Sequence, residues 1–122
     1  MSYTATVHMA PDTVRGLLAA AFEGGSNYWI ETIRPGGGQI PPTVGKWHWS
    51  QILPTTGGSV AITVREDDAD ATERLLDDEA IRRGVALFVQ HPQYGAVLSD
   101  SDDATTGDVF LQLAIFGEVI FG

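Results

Sequence analysis

The chain contains no cysteine, which excludes disulfide bonds and thiolate metal sites. No apolar run approaches the roughly 20 residues that a membrane-spanning helix needs. The opening residues, MSYTATVHMAPD, lack the basic region and the apolar core of a signal peptide. We therefore expect a soluble cytoplasmic protein with no membrane partner.

Basic residues are scarce: seven Lys and Arg stand against sixteen Asp and Glu, for a formal net charge of −9. Residues 1–65 carry three acids and four bases, a balance of +1, whereas residues 66–122 carry thirteen acids and three bases, a balance of −10. A nucleic-acid-binding face needs clustered Lys and Arg, so direct nucleic-acid binding is not expected. The acidity either serves solubility or forms a face that docks on a basic partner or mimics DNA.

Motifs for catalysis and metal binding are also missing. The sequence has no GxSxG, no P-loop and no GxGxxG after a strand. The three histidines lack metal-site spacing, and the acidic segment 100–108 places Thr105 where a calcium loop needs glycine. We therefore expect no metal, no cofactor and no catalytic residue. The weaker enzymatic alternative is nucleotide cleavage by Glu23 or Glu31, two acids in apolar or aromatic surroundings.

The length of 122 residues and a hydrophobic content of 43% suit one domain, residues 1–122. A first helix is predicted from Pro11, with a left-handed stop at Gly24 and Gly25. Its buried stripe is Val14, Leu17, Leu18, Ala21 and Phe22. Asp77 is predicted to cap a second helix, and the apolar run 109–116 to form a third that ends at Gly117.

Alternating residues predict the strands of a small sheet. The predicted strands are 2–8, 28–34, 46–52 and 59–65, a returning strand at 72–76 after an acidic turn at 66–71, and a short edge strand at 118–122. Residues 35–42, PGGGQIPP, are predicted to form a loop. The prediction is an α+β fold, with about three helices packed on one small antiparallel sheet.

Aromatic residues are concentrated beside glycines and cations in the first half of the chain. Tyr28, Trp29, Trp47 and Trp49 lie within 22 residues, and the last two would share one strand face. They either pack the core or stack on a flat ligand, with cations such as Arg34, Lys46 and Arg65 meeting its phosphate. The candidate ligand-binding residues are Gly24, Gly25, Asn27, Tyr28, Trp29, Arg34, Lys46, Trp47, His48 and Trp49.

Two segments, EGGSNYW at 23–29 and LAIFGEVIFG at 113–122, resemble the ends of small uncharacterised proteins of phages and mobile elements. Those ends read EGG-x-NYW and LFGE-[IV]-[VI]-[YF]-G, and residues 35–58 depart from the resemblance. It implies an accessory protein of a phage or plasmid. Small proteins of that origin commonly blunt bacterial defence, either by trapping a nucleotide signal or by blocking a defence protein.

The sequence thus leads to two functional hypotheses and the enzymatic alternative. The first is a non-catalytic, homo-oligomeric protein that sequesters a small nucleotide-derived signalling molecule. The second is an inhibitor of a host defence protein that uses the acidic stretches 66–79 and 100–108, with Asp67, Asp68, Asp77 and Asp78 in contact.

Overall fold

The computed structural model describes Tyr3 and residues 7–37, 45–65 and 72–122. Within these ranges it confirms the α+β class, with a three-stranded antiparallel sheet and five α-helices packed against it, rather than about three. The elements are α1 (Pro11–Ala20), β1 (Ile30–Gly37), α2 (Trp49–Thr55), β2 (Ser59–Val64), β3 (Thr72–Leu76), α3 (Asp78–Phe88), α4 (Tyr94–Leu98) and α5 (Ala104–Phe116). No helix in the described ranges is long and apolar enough to cross a bilayer.

Helix α1 begins at Pro11 and buries the predicted stripe, although Phe22 is only partly buried. The predicted left-handed stop is wrong, because the helix continues into one wide π turn over Ala21–Gly25. Gly24 has an extended backbone with φ 173°. A Cβ on Gly25 would clash with the backbone carbonyl oxygen of Ala104, so this glycine lets the turn approach the start of α5 closely.

The sheet has the order β1-β2-β3, with both pairs antiparallel. Strand β2 and its returning partner β3 are confirmed, and Val60, Ile62 and Val64 are all buried. The first sheet strand starts at Ile30 rather than at Tyr28, because Tyr28 and Trp29 lie in the preceding turn. It also continues through residues 35–37, which the sequence assigned to a loop.

Some predicted segments fall beyond the described ranges. They are most of the strand at 2–8, the loop residues 38–42 and the acidic turn at 66–71 with Asp67 and Asp68. Val7 and His8, which are described, are not in a strand, and neither are residues 118–122, predicted as an edge strand.

The predicted strand at 46–52 is wrong, because Trp49–Thr55 forms helix α2. His48 caps this helix. Its ring Nδ1 accepts from the backbone N–H of Ser50 at 3.3 Å, and its backbone N–H donates to Gln51 Oε1 at 2.8 Å. This reciprocal arrangement satisfies two groups at the helix start. Trp47 therefore precedes a helix and Trp49 opens it, and they do not share a strand face.

Helix α5 is the centre of the core and contacts both α1 and α3. A Cβ on Gly107 would lie 2.6 Å from the carbonyl oxygen of Leu17, and one on Gly84 would lie 2.7 Å from the Ala114 Cβ. Helices α1 and α3 therefore each approach α5 at backbone distance. The predicted cap at Asp77 and the stop at Gly117 are confirmed, the latter with a left-handed φ of 76°.

Candidate functional site

The neighbouring aromatics Tyr28 and Trp29 lie in different environments. Trp29 is 1% exposed, and its indole stacks on the Phe121 ring with centroids 5.5 Å apart and planes 9° apart. Phe116 packs on the same indole at 5.4 Å. Tyr28 keeps 53% of its surface exposed. Trp29 is thus a core residue, and only Tyr28 can offer a ring to a ligand from this pair.

The two residues share one hydrogen-bond acceptor, the buried carboxylate of Asp108 on α5. Its Oδ1 accepts from Trp29 Nε1 at 2.7 Å, from Ser26 Oγ at 2.8 Å and from Gln112 Nε2 at 3.1 Å. Its Oδ2 accepts from the Tyr28 hydroxyl at 2.7 Å. We call Ser26, Tyr28, Trp29, Asp108 and Gln112 the Asp108 cluster.

Gln112 extends this cluster to the last residues of the chain. Its Oε1 accepts the backbone N–H groups of Ile120 and Phe121 at 2.9 and 2.8 Å, and its Nε2 donates to the Phe121 carbonyl at 3.1 Å. The side-chain amide therefore acts as a backbone-like partner for residues 120–121. The segments 23–29 and 113–122, far apart in sequence, thus meet through the Asp108 cluster and the Trp29–Phe121 stack.

The cluster perturbs the ionisation of Tyr28. Desolvation, then the hydrogen bond to Asp108 and its negative charge, raise the pKa of Tyr28 from 10.0 to about 12. The phenol is therefore neutral and a hydrogen-bond donor throughout the physiological pH range.

The other candidate residues near Tyr28, which are Gly24, Gly25 and Asn27, do not surround one ligand site. Gly24 is exposed with open space around it, and Gly25 approaches α5. Asn27 lines a separate hollow of about 330 Å³ with Phe22, Ile30, Glu31, Thr32, Ile33 and Arg65. Arg65 also donates from Nε to the Ile30 carbonyl at 3.2 Å, which occupies part of its guanidinium.

The candidate cations have partners. The Arg34 Nη2 lies 2.7 and 2.8 Å from the two carboxylate oxygens of Glu73, and both side chains are exposed. The ammonium of Lys46 lies 4.8 Å from the ring centroid of Trp47. Arg34 is therefore engaged across the sheet, and Lys46 is the candidate cation that accompanies an indole.

Residues 46–49 place a lysine directly before three aromatic side chains, and we call them the Lys46–Trp49 segment. The rings of His48 and Trp49 are 5.0 Å apart, Trp47 and Trp49 are each partly buried, and Lys46 and His48 are exposed. Trp49 also packs on the core. This segment gathers four of the predicted ligand-binding residues.

Acidic residues have mixed roles. Asp77 and Asp103 cap α3 and α5, and Asp78 pairs with Arg82 at 2.6 Å. Glu23 and Glu31, the two acids of the enzymatic alternative, are both exposed. Within the described ranges, no three His, Asp or Glu residues are grouped as a metal site.

Sequence reasoning missed Asp108 and Gln112, although a signal was present. These two polar residues stand four apart in the otherwise apolar run DVFLQLAIF, so they share one face of α5. A buried polar pair at that spacing predicts hydrogen-bond partners from another segment.

Comparison with protein-family models, curated proteins and solved structures found no match for this chain. The functional interpretation therefore depends on the geometry described above.

Proposed function

We propose that the protein is a non-catalytic binding protein that sequesters a small nucleotide-derived signalling molecule, with the Lys46–Trp49 segment as its binding site. The observation that carries the proposal is the Lys46 ammonium beside the partly exposed Trp47 indole, next to a second indole at Trp49.

Nucleotides present a flat aromatic base and an anionic phosphate within one small molecule. Stacking a base on an aromatic side chain contributes about 1–3 kcal/mol, and an ammonium donates charge-assisted hydrogen bonds to phosphate oxygens. A base stacked on an indole of this segment would carry its phosphate close to Lys46. The first half of the chain, with a balance of +1, opposes such an anion less than the second half does.

The biological setting we propose is counter-defence in the cytoplasm of a bacterial host. It is supported by the resemblance of residues 23–29 and 113–122 to phage and mobile-element proteins. We further propose a homo-oligomer, because symmetric interfaces often complete pockets of this kind. Light scattering of the purified protein measures the oligomeric state directly, and a monomer at micromolar concentration contradicts this part of the proposal.

The binding test is a titration with cyclic nucleotides, cyclic dinucleotides and ADP-ribose derivatives, followed by tryptophan fluorescence and thermal shift. We expect at least one class to quench fluorescence saturably and to raise the melting temperature, because a ligand that binds only the folded state stabilises it. Ligand recovered unchanged after denaturation is the result expected of a protein that binds without cleaving.

The variants Lys46→Ala and Trp47→Phe separate this site from others. Both are expected to weaken the affinity at least ten-fold, and for Trp47→Phe the affinity is read from the thermal shift because this variant has lost one of the three tryptophan fluorophores. Arg74→Ala is the matched control, since Arg74 also lies over an aromatic ring, at 5.3 Å from the Phe116 centroid, but outside the Lys46–Trp49 segment. Full binding by both Lys46→Ala and Trp47→Phe would show that the segment is not the site.

A second candidate function is inhibition of a basic defence protein through acidic residues. It is favoured by the exposure of Glu79, Asp100 and Asp102, none of which has an ion-pair partner in the described part of the chain. Asp77 is a helix cap and so is less suited to docking. Neutralising Asp100 and Asp102 to Asn should abolish such inhibition and spare nucleotide binding, and inhibition that survives the change contradicts this function.

A further inference from the structure

Asp108 is a buried carboxylate without a cationic counter-ion. It is 7% exposed, and no Lys, Arg or His among the described residues lies within ion-pair distance of it. Its charge is met only by neutral donors from the cluster. Buried charges in proteins are usually paired, so an uncompensated one beside a cleft indicates a place where a cation can bind.

The two carboxylate oxygens differ in what they can still accept. From the described residues, Oδ1 receives three hydrogen bonds and is saturated, whereas Oδ2 receives one, from the Tyr28 hydroxyl. A carboxylate oxygen has about two lone-pair sites, so Oδ2 retains capacity for one further donor.

A cleft of about 520 Å³ lies at this point. Its lining residues are Gly25, Tyr28, Ala104, Thr105, Asp108 and Gly122. Most of them are small, and Tyr28 contributes a ring that is about half exposed. Thr105 adds a hydroxyl group that can accept a hydrogen bond. The cleft thus combines a carboxylate, an aromatic ring and a neutral acceptor, and none of the described residues that line it is a cation.

The charge around the cleft has a definite sign. The partial positive charge at the start of α5 is confined to the first turn, and Asp108 lies in the second. Asp103 precedes the helix as its cap, and the net charge of −9 attracts cations over a longer range. Burial, and then the hydrogen bond and negative charge of Asp108, raise the pKa of Tyr28.

We propose that this cleft binds an organic cation, with an ammonium or guanidinium group donating to Asp108 Oδ2 and lying against the Tyr28 ring. Such groups bind aromatic faces and carboxylates together. The site is independent of the Lys46–Trp49 segment and takes a ligand of opposite charge. The cation can come from a free polyamine or from an Arg or Lys side chain of a partner protein.

The test uses butylguanidinium as the probe and butylurea as its uncharged counterpart. The readout is the indole N–H resonance of Trp29 in a ¹⁵N-labelled sample, since this N–H donates directly to Asp108. Trp47→Phe and Trp49→Phe samples identify that resonance among the three tryptophans. We expect a saturable shift with butylguanidinium and none with butylurea. Equal shifts with both compounds, or a Trp29 signal that does not move, would overturn the proposal.

Variants then assign the binding groups. Tyr28→Leu is expected to weaken binding at least ten-fold, whereas Tyr28→Phe, which keeps the ring and frees Oδ2, should bind at least as tightly as the wild type. Asp108→Asn should abolish binding if it folds. Asp102→Asn carries the same loss of charge outside the cleft and should change affinity less than two-fold. Unchanged affinity in Tyr28→Leu, or an equal loss in Asp102→Asn, refutes the site.

Two further titrations distinguish the source of the cation. Spermidine represents a free polyamine, and a short uncharged peptide with one central Arg represents a partner side chain. Tighter binding of one of the two assigns the source, and failure of both to shift the Trp29 resonance overturns the proposal. Because the probes are cations and the readout is Trp29, failure here leaves nucleotide binding at Lys46 unaffected.

Discussion

Replacement of Asp108 by alanine tests whether its carboxylate holds the cluster together. The substitution removes the shared acceptor of Ser26, Trp29 and Gln112, whose exposures are 0%, 1% and 0%. A buried donor left without an acceptor costs about 1–3 kcal/mol. Gln112 keeps acceptors at Tyr28 and at the Phe121 carbonyl, so the cost is assigned to the other two donors.

Two orphaned donors correspond to a loss of about 2–6 kcal/mol in the free energy of unfolding. This is a large share of the about 5–15 kcal/mol that stabilises a typical domain. Removal of a desolvated charge offsets part of the loss, so we expect a decrease toward the lower end of this range, about 2 kcal/mol. Urea unfolding followed by far-ultraviolet circular dichroism measures it, with Asp102→Ala as the exposed-acid control that should stay within about 0.5 kcal/mol.

A double-mutant cycle makes the test specific to the cluster. In a Ser26→Ala background the hydroxyl donor is already absent, so Asp108→Ala should cost less than in the wild type, by about 1 kcal/mol. Additive effects, or a loss below about 1 kcal/mol for Asp108→Ala alone, would refute the view that this carboxylate organises the two segments.

Three other substitutions and conditions test the packing and the charges. Gly107→Ala should lower the midpoint of urea denaturation, because overpacking costs about 1–3 kcal/mol and outweighs the gain in helix propensity. Gly16→Ala should raise this midpoint, because the added Cβ meets no neighbouring atom within 4 Å. The pKa of Tyr28 is about 12 in the folded protein, against the ordinary value of 10.0 that applies to the unfolded chain. The free energy of unfolding should therefore be unaffected by this group below pH 10.0 and should fall between pH 10.0 and about 12. Urea unfolding across that range should show a smaller fall for Tyr28→Phe than for the wild type. Arg34→Ala should cost less than about 1 kcal/mol by thermal unfolding, since its ion pair with Glu73 is exposed.

The elements that the sequence predicted correctly carry local signals. Helix α1 has an apolar stripe and Pro11 at its first turn, α3 has the Asp77 cap, and β2 is rich in β-branched residues. Each signal is contained within a few consecutive residues, so no tertiary information is needed to read it.

Helix α2 shows where local patterns fail. Trp47 to Ser50 alternate as a strand would, and Pro54 argues against a helix. The helix forms because His48 and Gln51 cap it and because Ile52 and Leu53 are buried. Four alternating residues fit both structures, and burial against the rest of the chain decides between them.

The candidate site depends on contacts that span most of the chain. Trp29 and its acceptor Asp108 are 79 positions apart, and no local pattern could show that this indole is sealed in the core while Tyr28 remains open. The sequence could identify the aromatic residues as important, but their division between core and surface is set by α5 and by Phe121.

The geometry of Asp108 explains how one residue can serve both folding and binding. Its Oδ1 is committed to three buried donors, so this oxygen fixes the turn against α5 and cannot also receive a ligand. Asp108 and Tyr28 line the cleft, and the Tyr28 hydrogen bond to Oδ2 can be exchanged without breaking the Oδ1 contacts. Stability should therefore depend mainly on the Oδ1 contacts, and cation affinity mainly on Tyr28. A Tyr28→Leu variant that keeps its unfolding free energy within about 1 kcal/mol but loses the cation would separate the two roles, whereas parallel losses would show that they are one.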